Sequence, residues 1–137
     1  MRPNIRVVGC WAHARRKFDE AVKSLPPKEQ AGCAALEGQA FCTKLFSLEK
    51  DIQDLPFEEK RKQRQSRVKP VLNALFSWAE EKLKVTPPKS ALGKALHYLK
   101  EQWPYLIRYL EDGRLEISNN RAERSIKPFV MGRKNWL

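Results

Sequence analysis

A mainly helical bundle with one short N-terminal strand is the fold this sequence predicts, on three observations. Apolar residues recur at three- and four-residue intervals over most of the chain, the period of helices that each bury one stripe. Nine prolines cluster at the ends of those stretches and glycine numbers only six, so proline serves as the stop signal between helices. The β-branched residues Ile5, Val7 and Val8 run up to Gly9 and read as a single strand, an incomplete object without partners from elsewhere.

The elements follow in chain order. Trp11, Ala14, Phe18, Ala21, Val22 and Leu25 form the apolar stripe of a first helix that ends at Pro26-Pro27, with Arg15, Arg16, Lys17 and Lys23 on its other sides. A second helix is expected over about 28–55, its stripe of Ala31, Ala34, Ala35, Gly38, Phe41, Leu45, Leu48 and Ile52 partly small, which lets another helix come close. A third region follows Pro56, polar over 58–69 and apolar at Val68, Val71, Leu72, Leu75, Trp78, Ala79 and Leu83, with Pro70 kinking or starting a helix. After Thr86-Pro87-Pro88 a fourth carries Leu92, Ala95, Leu96, Leu99 and Trp103, and Pro104 opens a further turn. Asp112-Gly113 marks a tight turn. Ser118-Asn119-Asn120 then places helix-capping side chains before Arg121.

Composition excludes several classes. The 137 residues suit one domain, and 27 Lys+Arg against 16 Asp+Glu leave a formal charge of +11, which calls for a polyanionic partner. The longest stretch free of charged residues, Pro70 to Ala79, is far shorter than a membrane span. No secretory signal is visible at the start. Cys10, Cys33 and Cys42 are odd in number and read as reduced, apolar-packed thiols, so the cytoplasm or nucleoid is the expected location.

The densest chemistry lies in the last twenty residues. With Asn120 as N-cap, Arg121, Arg124 and Lys127 fall three apart along one side of a helix, Glu123 sits in the first turn, and Arg133 and Lys134 extend the charge. Guanidinium forks on such a face can grip phosphates, and one carboxylate among them can hold a divalent metal. On spacing alone, Glu123 fits a capping box better than a metal site, and a solvated basic face is as good a reading as DNA contact. A second basic cluster, residues 9–18, contains Arg15 and Arg16. Its Cys10 and His13 lack the second close pair that a structural zinc needs. There is no Gly-rich phosphate loop, no HExxH and no Ser-His-Asp or Cys-His set with supporting context.

The stretches Gly9-CWAHARRKF-Asp19 and Ser118-NNRAERSIKPFVMGRKNWL137 resemble the two signature stretches at the C-terminal end of the insertion-sequence 66 family of bacterial transposases. The intervening helices, including residues 90–117, are also similar to that family. The resemblance implies an Asp-Asp-Glu transposase with a ribonuclease-H-like core, in which three carboxylates bind two Mg2+ or Mn2+ ions for DNA hydrolysis and strand transfer. It makes Glu123, in Asn119-Asn120-x-Ala122-Glu123-Arg124, the third carboxylate and metal ligand. Arg15, Arg16, Arg121, Arg124, Lys127, Arg133 and Lys134 then hold the DNA backbone.

Three parts follow from the resemblance: 1–27 as a strand and basic helix of the core, 28–113 as a helical insertion, and 114–137 as the helix with the third carboxylate and a basic tail. The family's two aspartates belong upstream of residue 9 and are not in this chain, which therefore reads as cut at both ends, inactive alone and unable to bind metal tightly. Trp11 and Phe18 are expected to lie exposed where the missing sheet would cover them, favouring dimerisation. The expected partners are element-end and target DNA, together with the rest of the transposase or a second copy, and no membrane. Competing classes are a non-catalytic DNA-binding or regulatory module and a helical protein-interaction remnant.

Overall fold

The computed structural model describes residues 9–118. Within them the chain is helical: α1 (Trp11–Lys23), a single turn α2 (Pro27–Gln30), α3 (Ala34–Ile52), α4 (Phe57–Gln63), a π-helical turn (Arg64–Val68), α5 (Lys69–Val85), α6 (Ala91–Leu106) and a 3-10 turn (Ile107–Leu110). The expected ribonuclease-H-like portion with its strand is overturned, because among the described residues there is neither strand nor sheet. The strand assigned to Ile5, Val7 and Val8 lies outside the described residues.

The reason is visible in the packing of α1. Its apolar face does not wait for a sheet but packs between α3 and α6, burying Trp11, Ala14 and Phe18 in one cluster with Leu45, Leu72, Leu75, Leu96, Leu99 and Tyr109. Trp11 and Phe18, expected to be exposed, are both 0% accessible. Burying a large aromatic side chain stabilises by roughly 2–3 kcal/mol, which is why the bundle closes over these rings.

Local sequence explains the breaks. The expected helix over 28–55 is interrupted at Gly32, whose φ of 76° lies in the left-handed region that glycine enters without a Cβ clash. Helix α3 then starts at Ala34. The first turn of α5 contains Pro70, which has no N–H for the preceding turn and whose ring crowds the carbonyl four residues back. The chain widens there into the π-helical turn, closed by the Lys69 N–H on the Arg64 carbonyl. Helix α6 is capped by Ser90, whose Oγ accepts the Gly93 N–H at 3.0 Å. It runs through Pro104 and tightens into the 3-10 turn.

Gly38 sets the α1–α3 approach: a Cβ there would lie 2.5 Å from the Phe18 ring. The expected result for Gly38→Ala is a destabilisation of about 1–3 kcal/mol, as for other overpacked cores. Denaturant midpoints check it, and Phe18→Leu in the same chain should recover part of the loss by vacating the ring edge.

Candidate nucleic-acid interface

The sequence-predicted basic residues of α1 occupy distinct places. Arg16 is exposed in the second turn. Arg15 is half-buried, its guanidinium 4.6 Å from the centre of the Phe46 ring on α3. On the other side Lys17 reaches over Tyr98 of α6 at 5.1 Å. These stems cover apolar surface while the charges stay near solvent, so α1 presents cations across both of its grooves. Acidic neighbours temper that face: Asp19 accepts from Gln39 at 2.9 Å and pairs with Lys23 at 3.0 Å. Glu123, Arg121, Arg124, Lys127, Arg133 and Lys134, and the cap at Asn120, lie outside the described residues.

Around the start of α1, distant parts of the chain converge. The Trp11 N–H donates to the Ile117 carbonyl at 3.1 Å, and the Gly9 N–H to the Tyr105 carbonyl at 3.0 Å. The indole Nε1–H of Trp11 donates to the Leu106 carbonyl at 3.0 Å, satisfying an acceptor at the end of α6. Cys10 Sγ and Ser118 Oγ are 3.3 Å apart.

The second polar centre is one that periodicity missed. Arg64 is 1% accessible and forks onto Glu49, with Nε–Oε1 at 3.0 Å and Nη2–Oε2 at 2.6 Å. Its Nη1 donates to the carbonyls of Tyr109 at 2.6 Å and Asp112 at 3.1 Å, and its guanidinium stands over the Tyr109 ring at 4.8 Å. Burial pushes the Tyr109 hydroxyl above its ordinary range, and the charge of Glu49 pushes the same way. The signal was present in the sequence: Arg64 lies four residues before Val68, on the extension of the buried stripe of α5, although the run 58–69 reads as a solvated face.

A groove of about 420 Å3 lies beside it, lined by Phe57, Glu58, Arg61, Glu111, Asp112, Gly113 and Arg114. The Arg61 guanidinium, bonded to Glu58, holds that carboxyl below the usual carboxylate range. Arg114 does the same for Asp112. These are internally neutralised pairs that leave little field for a ligand. Among the described residues, no three His, Cys, Asp or Glu side chains gather to hold a metal ion, so the Mg2+ or Mn2+ chemistry implied by the resemblance has no ligand set there. No described helix is long and apolar enough to cross a membrane.

Cys10, Cys33 and Cys42 are not joined in a disulfide among the described residues. Burial raises the Cys42 thiol to about 12 from an ordinary 9.0, against a smaller lowering by Arg15. A thiol kept protonated in the fold stabilises fully below the unfolded value, and this contribution is lost as pH rises from about 9 towards 12, because the unfolded chain releases the proton first. Cys42→Ala is therefore expected to flatten the fall in stability over that window relative to the parent chain, as read by denaturant midpoints at stepped pH. A slope equal to the parent's would contradict it.

The family model described as Transposase IS66 family matches residues 1–137. Three proteins of Sinorhizobium fredii strain NGR234 are similar, each carrying the name uncharacterized protein. They are y4hP, 31% identical over 93% of this chain and 24% of its own length; y4jD, 34% identical over 96% and 25%; and y4qI, 33% identical over 97% and 24%. The chain thus spans about a quarter of the length of these relatives. No solved structure matches.

Proposed function

Because this chain belongs to the IS66 transposase family, we propose that it is the part of a DNA-cutting and DNA-joining enzyme that grips duplex DNA and contributes the third catalytic carboxylate, Glu123. The observation that carries this reading is that the family match covers all of residues 1–137, including Asn119-Asn120-x-Ala122-Glu123-Arg124 and its basic surroundings. Arg15, Arg16, Arg121, Arg124, Lys127, Arg133 and Lys134 are assigned to the phosphate backbone. Arginine suits that role because its planar fork matches phosphate oxygens.

Glu123 is one carboxylate, whereas a two-metal site needs several. The chain by itself is therefore assigned DNA binding and no catalytic step, and Mg2+ or Mn2+ belongs to the assembled enzyme. The supporting result is duplex binding by fluorescence anisotropy whose affinity falls with salt, by about 0.9 in log–log slope per neutralised phosphate, without nicking of plasmid in Mg2+ or Mn2+. Absence of duplex binding at low salt would remove the reading. Metal-dependent nicking that survives Glu123→Gln would remove the assignment of that carboxylate.

A further inference from the structure

Helix α1 carries three consecutive cations, Arg15, Arg16 and Lys17, in its second turn. Among the described residues none of the three pairs with a carboxylate, whereas Lys23, Arg61, Lys84, Lys100 and Arg114 each hold one. Two of them rest on rings instead: Arg15 on the half-buried Phe46 of α3 at 4.6 Å, and Lys17 over the half-buried Tyr98 of α6 at 5.1 Å. A carboxylate cancels a cation, but a ring beneath it leaves the full unit of charge and holds the stem in place. Arg16 stands exposed between the two.

Helix geometry sets how the three are disposed. Successive residues of an α-helix are about 100° apart, so these side chains span roughly 200° of its circumference. They form a belt across α1, from its α3 side to its α6 side, and not a row along it. A row along the outer face from Arg16 meets Glu20 one turn on and then Lys23, which is bonded to Asp19 at 3.0 Å. A polyanion lying lengthwise therefore meets acidic and neutralised groups, whereas one lying crosswise meets the three cations in turn. An α-helix with its side chains is about 10–12 Å across, and one strand of a duplex sets a phosphate about every 3.4 Å of its axis. The belt thus faces about three successive phosphates, one for each cation.

We propose that one strand of duplex DNA crosses α1 at this belt, with Arg15, Arg16 and Lys17 each on a phosphate and with Phe46 and Tyr98 as positioning residues that aim the outer two. The proposal rests on the DNA-binding reading above and deepens it, because it adds Lys17 to the contacts and sets the path of the strand. Cations already held against rings lose little rotamer freedom on binding, so each contact keeps more of its favourable energy.

The test uses the full chain and a duplex of about two helical turns, roughly 20 base pairs, with affinity read by fluorescence anisotropy against salt. Lys17→Gln is expected to lower the log–log slope by about 0.9, and Arg15→Gln/Arg16→Gln/Lys17→Gln by about 2.7, one step per lost phosphate contact. Lys23→Gln, which reports a lengthwise path, is expected to change it little. So is a remote control, Lys44→Gln/Lys69→Gln/Lys89→Gln, all three exposed. Tyr98→Leu is expected to weaken binding severalfold, and Tyr98→Phe, which keeps the ring, to bind as the parent does. Circular dichroism checks that each variant keeps its helix content. A slope unchanged by Lys17→Gln, or lowered as much by Lys23→Gln or by the remote control, overturns the crosswise belt while leaving DNA binding standing. Equal binding by Tyr98→Leu and the parent overturns the positioning role of that ring. A parent chain that does not bind the duplex at all instead overturns the DNA-binding reading.

Discussion

Arg64→Ala is expected to destabilise the fold by about 3–5 kcal/mol, the range for removing one partner of a buried ion pair. Arg64 is 1% accessible, against 15% for its partner Glu49. Its loss leaves the Glu49 carboxylate without its fork and the Tyr109 and Asp112 carbonyls without their donor. It also opens a void under the Tyr109 ring. Arg64→Lys should recover only part of the loss, because an ammonium cannot span the carboxylate and two carbonyls in one plane. The double change Glu49→Met/Arg64→Met should be milder than Arg64→Ala, because no charge is then left buried. Urea unfolding of the three variants decides the matter. A loss below about 1 kcal/mol for Arg64→Ala would place this pair in the weak class of surface salt bridges.

Trp11→Ala is expected to cost a similar amount, about 3–5 kcal/mol, as for large aromatic deletions in closed cores. The ring is fully buried and meets Trp103 edge-on, with centroids 5.9 Å apart and planes at 85°, a favoured arrangement of aromatic quadrupoles. Trp11→Phe separates packing from polarity. It keeps most of the apolar contact but leaves the Leu106 carbonyl without the indole donor, for an expected cost of about 1–3 kcal/mol. If Trp11→Phe costs as much as Trp11→Ala, the hydrogen bond rather than the ring fastens α1 to the end of α6. If it costs nothing, that carbonyl finds water and the ring alone does the fastening.

Much of the helical order was legible from local pattern. The stop at Pro26-Pro27, the helix start after Pro87-Pro88 and the disturbance before Pro70 all follow from prolines acting on their own backbone neighbourhood. The break in the expected 28–55 helix was less legible, because Ala, Gly and Cys continue a small-residue stripe as readily as they end one. Only the positive φ of Gly32 distinguishes the two. The candidate site was legible in part. Arg15 and Arg16 stand on α1 as expected, one on a ring and one in solvent. Arg64 was not found: its place four residues before Val68 continues the buried stripe of α5, but the charged run around it reads as a solvated face.

By itself the sequence determined the helical period, the proline and glycine boundaries, the basic excess and the membership of a transposase family. Each of these is written within a few residues or in a recognisable stretch. The tertiary structure decided that α1 is buried between α3 and α6 instead of lying against a sheet. It also decided that Arg64 is a core residue and that Cys10 and Trp11 meet Ser118 and Ile117. Those outcomes depend on partners 15, 45 and 48 residues from Arg64, 95 from Trp11 and 108 from Cys10. The cost of burying a cation, or of leaving an indole N–H unbonded, is set by atoms that only the folded chain brings together.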